Sequence, residues 1–218
     1  MEYRVQIKNM SKHFRKRVLF SNVDFMAEKG KIVGIAGGNG CGKSVLFKMI
    51  AGLERYSQGE IYVDGRQIGK EVDYPENTGI LINAPGYLEQ YSGFMNLKYL
   101  AEINHKIDDS SIKKTMVEVG LNPEEALKVK HYSVGMKQKL GVAQAIMEGQ
   151  TLLILDEIFN GLDTNANARI KKILLKKAEE SATILLTSHN FNDLKDLCDT
   201  IYQIENEHIH LLNATVQS

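Results

Sequence analysis

The stretch Gly37-Gly38-Asn39-Gly40-Cys41-Gly42-Lys43-Ser44 constrains this chain more than any other. It has the spacing G-x-x-x-x-G-K-[ST], the pattern of a P-loop. The short apolar run Lys31–Ala36 precedes it, and the helical run Val45–Ala51, closed by Gly52, follows it. Strand, glycine turn and helix start are the parts that hold a polyphosphate. Glycines let the backbone N–H groups of residues 37–42 turn inward, and the helix start adds partial positive charge. In such a loop Lys43 reaches the β- and γ-phosphates and the Ser44 hydroxyl is a ligand for Mg²⁺.

Composition excludes several classes. The chain has 218 residues, enough for one large core. Its 27 basic residues balance 27 acidic ones, which gives no support to a nucleic-acid partner. No apolar run approaches the roughly 18 residues of a transmembrane helix. The start, Met1-Glu2-Tyr3-Arg4-Val5, lacks the layout of a signal peptide. The two cysteines, Cys41 and Cys198, lie far apart in sequence, with no metal-ligand spacing, and read as free thiols of a cytosolic protein.

Periodicity supplies the organisation. Tyr3–Asn9 and Asn22–Ala27 alternate as strands, with Ser11–Lys16 read as their connection. Gly59–Gly65 is a strand running into an Asp-Gly turn, and Thr78–Ile82 is a strand stopped by Asn83-Ala84-Pro85-Gly86. From there apolar residues recur at helical spacing through Met95–Ile103, Ile112–Val119 and Val134–Ile146. An α-rich insertion thus follows a β-rich half, with no linker around it. Thr151–Leu155 and Ala182–Ser188 read as buried strands, Asn165–Glu179 and Phe191–Cys198 as helices, and Ile201–Glu205 and His208–Leu212 as two edge strands. The expected class is α/β, a P-loop nucleotide-hydrolase core with a parallel-rich sheet. It carries an N-terminal antiparallel β subdomain and an inserted α-helical subdomain.

Three side chains beyond the loop carry chemistry. Leu152–Asp156 has the form of a strand set beside the P-loop strand, delivering Asp156 to the Mg²⁺ side of the phosphates. Glu157 then lies nearer the γ-phosphate, placed to polarise a water. His189 ends another buried strand, in reach of a γ-phosphate oxygen or that water. Phe14, just before the nucleotide loop, either stacks on an adenine or packs as a core aromatic. Ser133, in Tyr132-Ser133-Val134-Gly135-Met136-Lys137-Gln138-Lys139, is a helix N-cap.

In order, these motifs resemble the ATP-binding subunits of ABC transporters over nearly the whole chain. The resemblance aligns Phe14 with the aromatic loop, Gly37–Ser44 with the P-loop, and Asn83 with the glutamine loop. It aligns Tyr132–Met136 with the signature and Leu152–Glu157 with the Walker B strand. Gly161-Leu162-Asp163 matches the D-loop and His189 the switch histidine. It implies that Ser133 and Gly135 bind the γ-phosphate held by an opposite subunit, so that two ATPs lie between two copies in a two-fold homodimer. It further implies nucleotide contacts from Phe14, Val45 and Asp163, metal ligation by Ser44, Asn83 and Asp156, and catalysis by Lys43, Glu157 and His189. Chain 1–218 is then one ATP-binding domain, with core segments about 1–83 and 148–218 and a helical part about 84–147.

Departures from the family pattern are local. Val134 and Met136 replace Gly and Gln in the signature, and Asn83 replaces Gln with a shorter reach. Val45 replaces Thr and gives up one hydroxyl, a loss of about 1 kcal/mol in ATP binding. The implied function is an ATPase that drives a membrane exporter, resembling the branch for peptides and antibiotics. It sits at the cytoplasmic face of the cell membrane on separate transmembrane permease subunits. The segment about Ala84–Tyr99 would meet that partner, with Tyr87, Tyr91, Phe94 and Met95 forming either a groove or subdomain core. A soluble relative acting on DNA or ribosomes, or a P-loop kinase, are the alternatives.

Overall fold

A computed structural model describes residues 2–15, 17–83 and 86–214. β1 (Tyr3–Phe14) and β2 (Arg17–Glu28) form a long antiparallel hairpin. Val5 and Ile7 on β1, and Val23, Phe25 and Ala27 on β2, alternate inward with strand period. β4 (Gln58–Val63) joins β1, and Asp64-Gly65, both at positive φ (49° and 76°), turns the chain into β5 (Arg66–Gln67). Two consecutive left-handed residues are what a tight hairpin of this kind requires. This antiparallel sheet runs β2-β1-β4-β5.

The second sheet runs β10-β9-β3-β8-β7-β6. Here β3 is Ile32–Ala36, β6 Thr78–Leu81, β7 Leu152–Leu155, β8 Thr183–Thr187, β9 Thr200–Glu205 and β10 His208–Ala214. All pairs are parallel except β9 with β10. Every residue of β3, β7 and β8 is buried, as expected of strands covered on both faces. α1 (Lys43–Ile50) contributes Leu46, Phe47, Met49 and Ile50 to one core, shared with the antiparallel sheet. The other core lies under α2 (Gly93–Asn104), α3 (Asp109–Glu118), α4 (Val134–Ile146), α5 (Thr164–Glu179) and α6 (Phe191–Leu197).

Three details depart from the sequence reading. Ser11–Phe14 belongs to β1 rather than to a connection, and Arg15, at φ 53°, follows it directly. Of the two strands expected at an edge, β9 is interior, parallel to β3, and β10 is at the edge. Most relevant to the site, β7 does not neighbour β3; β8 lies between them.

Candidate nucleotide site

The C-terminal ends of β3, β8 and β7 open onto one cavity of about 770 Å³. In an open parallel sheet this is where ligands bind. β3 delivers the glycine loop and, through it, α1. Gly42 caps α1 at φ 116° and no side chain accepts from the first-turn N–H groups. Leu19 and Phe20 pack so tightly against Gly42 that a Cβ there would lie 2.7 Å from the Phe20 ring. α2 to α6 differ: Ser92, Asp108, Ser133, Asp163 and Asn190 cap them by side chain. The orphan donors of α1 are thus left for an anion.

Lys43 is buried along its length, and its Nζ donates to the Gly37 carbonyl at 2.8 Å and the Gly38 carbonyl at 3.4 Å. It stands 3.6 Å from Glu157 Oε1. Ser44 Oγ donates to Asp156 Oδ2. Asp156 Oδ1 accepts from Thr187 Oγ1 at 2.7 Å, and the same hydroxyl accepts from the Glu157 N–H at 2.8 Å. Because β8 lies between β7 and β3, Thr187 is the bridge that steadies both carboxylate residues. His189 Nε2 lies 3.5 Å from Glu157 Oε2, a buried oxygen that accepts no hydrogen bond among the described residues. Asn83 also lines the cavity, at φ 57°. Ala84 and Pro85 of the expected chain breaker lie outside the described residues.

A hydroxyl and a carboxylate in direct contact form a hard oxygen pair that suits Mg²⁺. Among the described residues no group of three or more His, Cys, Asp or Glu could hold a metal. A magnesium held by one or two protein oxygens, with substrate phosphates and water completing its shell, has this form.

Phe14 is partly exposed at the cavity mouth, with Lys12 Nζ 4.2 Å above its ring. Asn39, Gly40, Gly42 and Val45 line the same cavity. Cys41 does not: its side chain faces a smaller pocket with Ile204 and Asn206, and its Sγ would lie 2.6 Å from a Cβ on Gly37. Any part it plays with nucleotide comes from its backbone. Ser133, Gly135 and Asp163 also stand apart, in a pocket of about 300 Å³ with Gly161 and Leu162. Ser133 Oγ accepts from the Met136 N–H at 3.2 Å. Asp163 accepts from the Ala166 N–H at 2.8 Å, a bond that holds its carboxyl below the usual range. A Cβ on Gly135 would lie 2.8 Å from the Gly161 carbonyl, so the first turn of α4 touches the loop at Gly161.

Sequence reasoning assigns no role to Arg17, Gln138, Asn160 or Thr187. Arg17, Gln138 and Asn160 line the cavity, and Arg17 Nη2 donates to the Gly40 carbonyl at 3.1 Å. Thr187 carries a signal in hindsight. It is a polar residue ending an otherwise apolar run, level with the carboxylates that end the neighbouring strand.

The ABC transporter family model matches residues 20–160. The chain is 37% identical over 195 residues to the ABC transporter ATP-binding protein YybJ of Bacillus subtilis (strain 168), covering 89% of each. It is 33% identical to the bacitracin transport ATP-binding protein BcrA of Enterococcus faecalis, covering 96% of this chain and 68% of that one. A solved ATP-binding subunit of an ABC transporter superposes with a TM-score of 0.83 at 25% identity, covering 95% of this chain and 90% of that one. A dimeric bacterial ABC transporter cassette superposes at 0.84 with 17% identity, covering 96% and 99%, which speaks to fold alone. The chain belongs to the ABC transporter family, as one of its ATP-binding subunits. Its class is therefore that of an ATPase. Among the described residues no helix is long and apolar enough to cross a membrane.

Proposed function

We propose that this subunit hydrolyses ATP between two copies of itself to drive export of a peptide-like antibiotic. The observation that carries the reading is the convergence of Lys43, Ser44, Asp156, Glu157 and His189 on one cavity at the strand ends. The P-loop amides, the free start of α1 and Lys43 take the triphosphate charge. Ser44 and Asp156, with the Asn83 amide nearby, would hold Mg²⁺, which neutralises phosphate charge. Glu157 orients the attacking water and accepts its proton, and His189 holds the geometry beside Glu157 Oε2. Phe14 stacks on the base and Val45 lies along the phosphates.

Ser133 and Gly135, with Asp163 alongside, are assigned to the ATP of the second copy. They lie in a pocket separate from Lys43, so within one chain they are free to complete a partner's site. The three segments, about 1–83, 84–147 and 148–218, act as one unit. Transmembrane permease subunits are separate polypeptides, and the protein works at the inner membrane face, with no nucleic acid partner. A groove of about 570 Å³ between α1, α2 and α4, lined by Tyr87, Leu88, Tyr99 and Ile103, is the surface offered to them. Tyr91, stacked edge-on against Tyr99 at 5.3 Å, extends it. Relatives named for bacitracin and lantibiotic transport support the cargo class.

Glu157→Gln tests the reading. It removes the base but keeps the shape, so gel filtration with ATP and Mg²⁺ should show a dimer where the nucleotide-free protein is monomeric. A monomer under both conditions refutes the shared site.

A further inference from the structure

Glu157 stands at φ 53°, in the left-handed region where a residue with a Cβ is strained. Two side chains hold its peptide. The N–H donates to Thr187 Oγ1 at 2.8 Å, and the carbonyl accepts from Gln138 Nε2 at 3.2 Å. Gln138 belongs to α4, whose first turn carries Gly135. The same stretch of α4 is gripped from its other side, where the Lys137 carbonyl accepts from the Tyr87 hydroxyl at 2.8 Å. Burial pushes the Tyr87 phenol up, so it remains an O–H donor at any ordinary pH. One turn on, a Cβ at Gly141 would lie 2.7 Å from Leu81 and 3.1 Å from the Tyr87 hydroxyl, so α4 has no slack against this wall. Tyr87 also lines the apolar groove, and Gln138 the nucleotide cavity. Consecutive residues of one helix therefore connect the two sites.

We propose that Gln138 is a positioning residue that holds the Glu157 peptide, and so the aim of its carboxylate, while Tyr87 ties that hold to the groove. The inference rests on Glu157 acting on water. A strained peptide returns to ordinary φ unless its surroundings over-determine it. Removing the Gln138 amide leaves the Thr187 hydroxyl on the N–H side and, on the carbonyl side, only the local turn bond from the Asn160 N–H at 3.2 Å, with no side chain tying that carbonyl to α4. Gln138 touches neither phosphate nor water in this account; it acts through Glu157.

The test uses the full chain with Gln138→Met, which keeps length and helix propensity, and Gln138→Ala as a second variant. Single-turnover hydrolysis, with protein in excess over ATP, reads the chemical step. The expected result is a fall of about tenfold or more in that rate, the order of a misplaced catalytic group. ATP affinity should stay within about twofold, because no binding contact is lost. Amide exchange across residues 156–160 should quicken while that of α1 is unchanged. Tyr87→Phe should give a smaller loss, and Tyr87→Phe combined with Gln138→Met should be no slower than Gln138→Met alone. An unchanged chemical rate with Gln138→Met overturns the proposal, as does a rate loss matched by lost ATP affinity or multiplicative losses in the double variant. Glu157→Gln separates the two readings. If it retains turnover, the base assignment has failed; if it stops turnover while Gln138→Met does not slow it, only the positioning role has.

Discussion

Thr187→Val isolates the device that joins the Mg²⁺ ligand to the water-activating residue. Valine has the shape of threonine, so no cavity opens and no atom is displaced; only the hydroxyl is lost. That hydroxyl is fully buried and makes two bonds, donating to Asp156 Oδ1 and accepting from the Glu157 N–H. A hydrogen bond to a charged group contributes about 1.5–3 kcal/mol, and an amide left buried without an acceptor costs about 1–3 kcal/mol. Burying a methyl in place of the hydroxyl returns roughly 1 kcal/mol. The net loss is about 3 kcal/mol. In a chain of this size each 1 kcal/mol shifts Tm by roughly 2–4 °C, so Tm should fall by about 9 °C. Thr187→Ser keeps the hydroxyl and should stay within about 3 °C of the parent, since it loses a single methyl. Thermal unfolding followed by circular dichroism, without nucleotide, reads both. If Thr187→Val melts within about 2 °C of the parent, the bridge between Asp156 and Glu157 is not a structural element, and its geometry carries no weight.

Lys43→Ala removes a buried cation of the cavity and should lower ATP hydrolysis more than about 100-fold while leaving the fold intact. Turnover within tenfold of the parent in a purified variant would overturn the phosphate assignment. Gly79→Ala tests packing far from the chemistry: a Cβ built on β6 at this position lands on the Ala145 carbonyl oxygen of α4. Strand or helix must move, at a cost of about 3 kcal/mol, and the urea midpoint should fall accordingly. An unchanged midpoint would contradict the close approach of β6 and α4.

What the sequence disclosed follows from where its signals are local. The glycine loop, the Asp64-Gly65 turn and the helix cap Ser133 are each set within a few residues, and all are found where local chemistry puts them. The length of β1 was hidden because its alternation breaks at Asn9, at φ 47°, where the register shifts between Ile7 and Met10, and because Lys12 follows that break. That lysine is buried, paired with Glu54 Oε1 at 2.7 Å and the Arg55 carbonyl at 2.6 Å, partners some forty residues away that no local pattern reports. The order of strands was hidden for a different reason. Apolar runs such as Ile32–Ala36, Leu152–Leu155 and Thr183–Thr187 would pair equally well in any sequence-neutral order. Placing β8 between β3 and β7 is a fact of topology, and the role of Thr187 comes with it. Cys41 is read correctly as part of the loop, but the direction of its side chain depends on Gly37 and Ile204 crowding around it.

The separation of the two loop sets has a physical consequence. A triphosphate in the cavity would meet positive potential from Lys43, from the start of α1 and from Arg17, which is bonded to the Gly40 carbonyl of the same loop. His189, about half exposed, faces the open side. The first turn of α4 at Gly135 and the loop at Gly161, which touch, line a separate pocket. On the proposed reading, the open side of one copy is closed by the Ser133–Gly135 loop of the other. Closure brings the amides at the start of α4 to an anion that α1 has only half surrounded. Hydrolysis and release of phosphate would remove the charge that both helix starts share, and with it the reason for the two copies to stay closed. The same helix that would sense this, α4, holds Gln138 against the Glu157 peptide and accepts the Tyr87 hydroxyl bond. Loss of the shared anion and movement at the groove are then two ends of one rigid element.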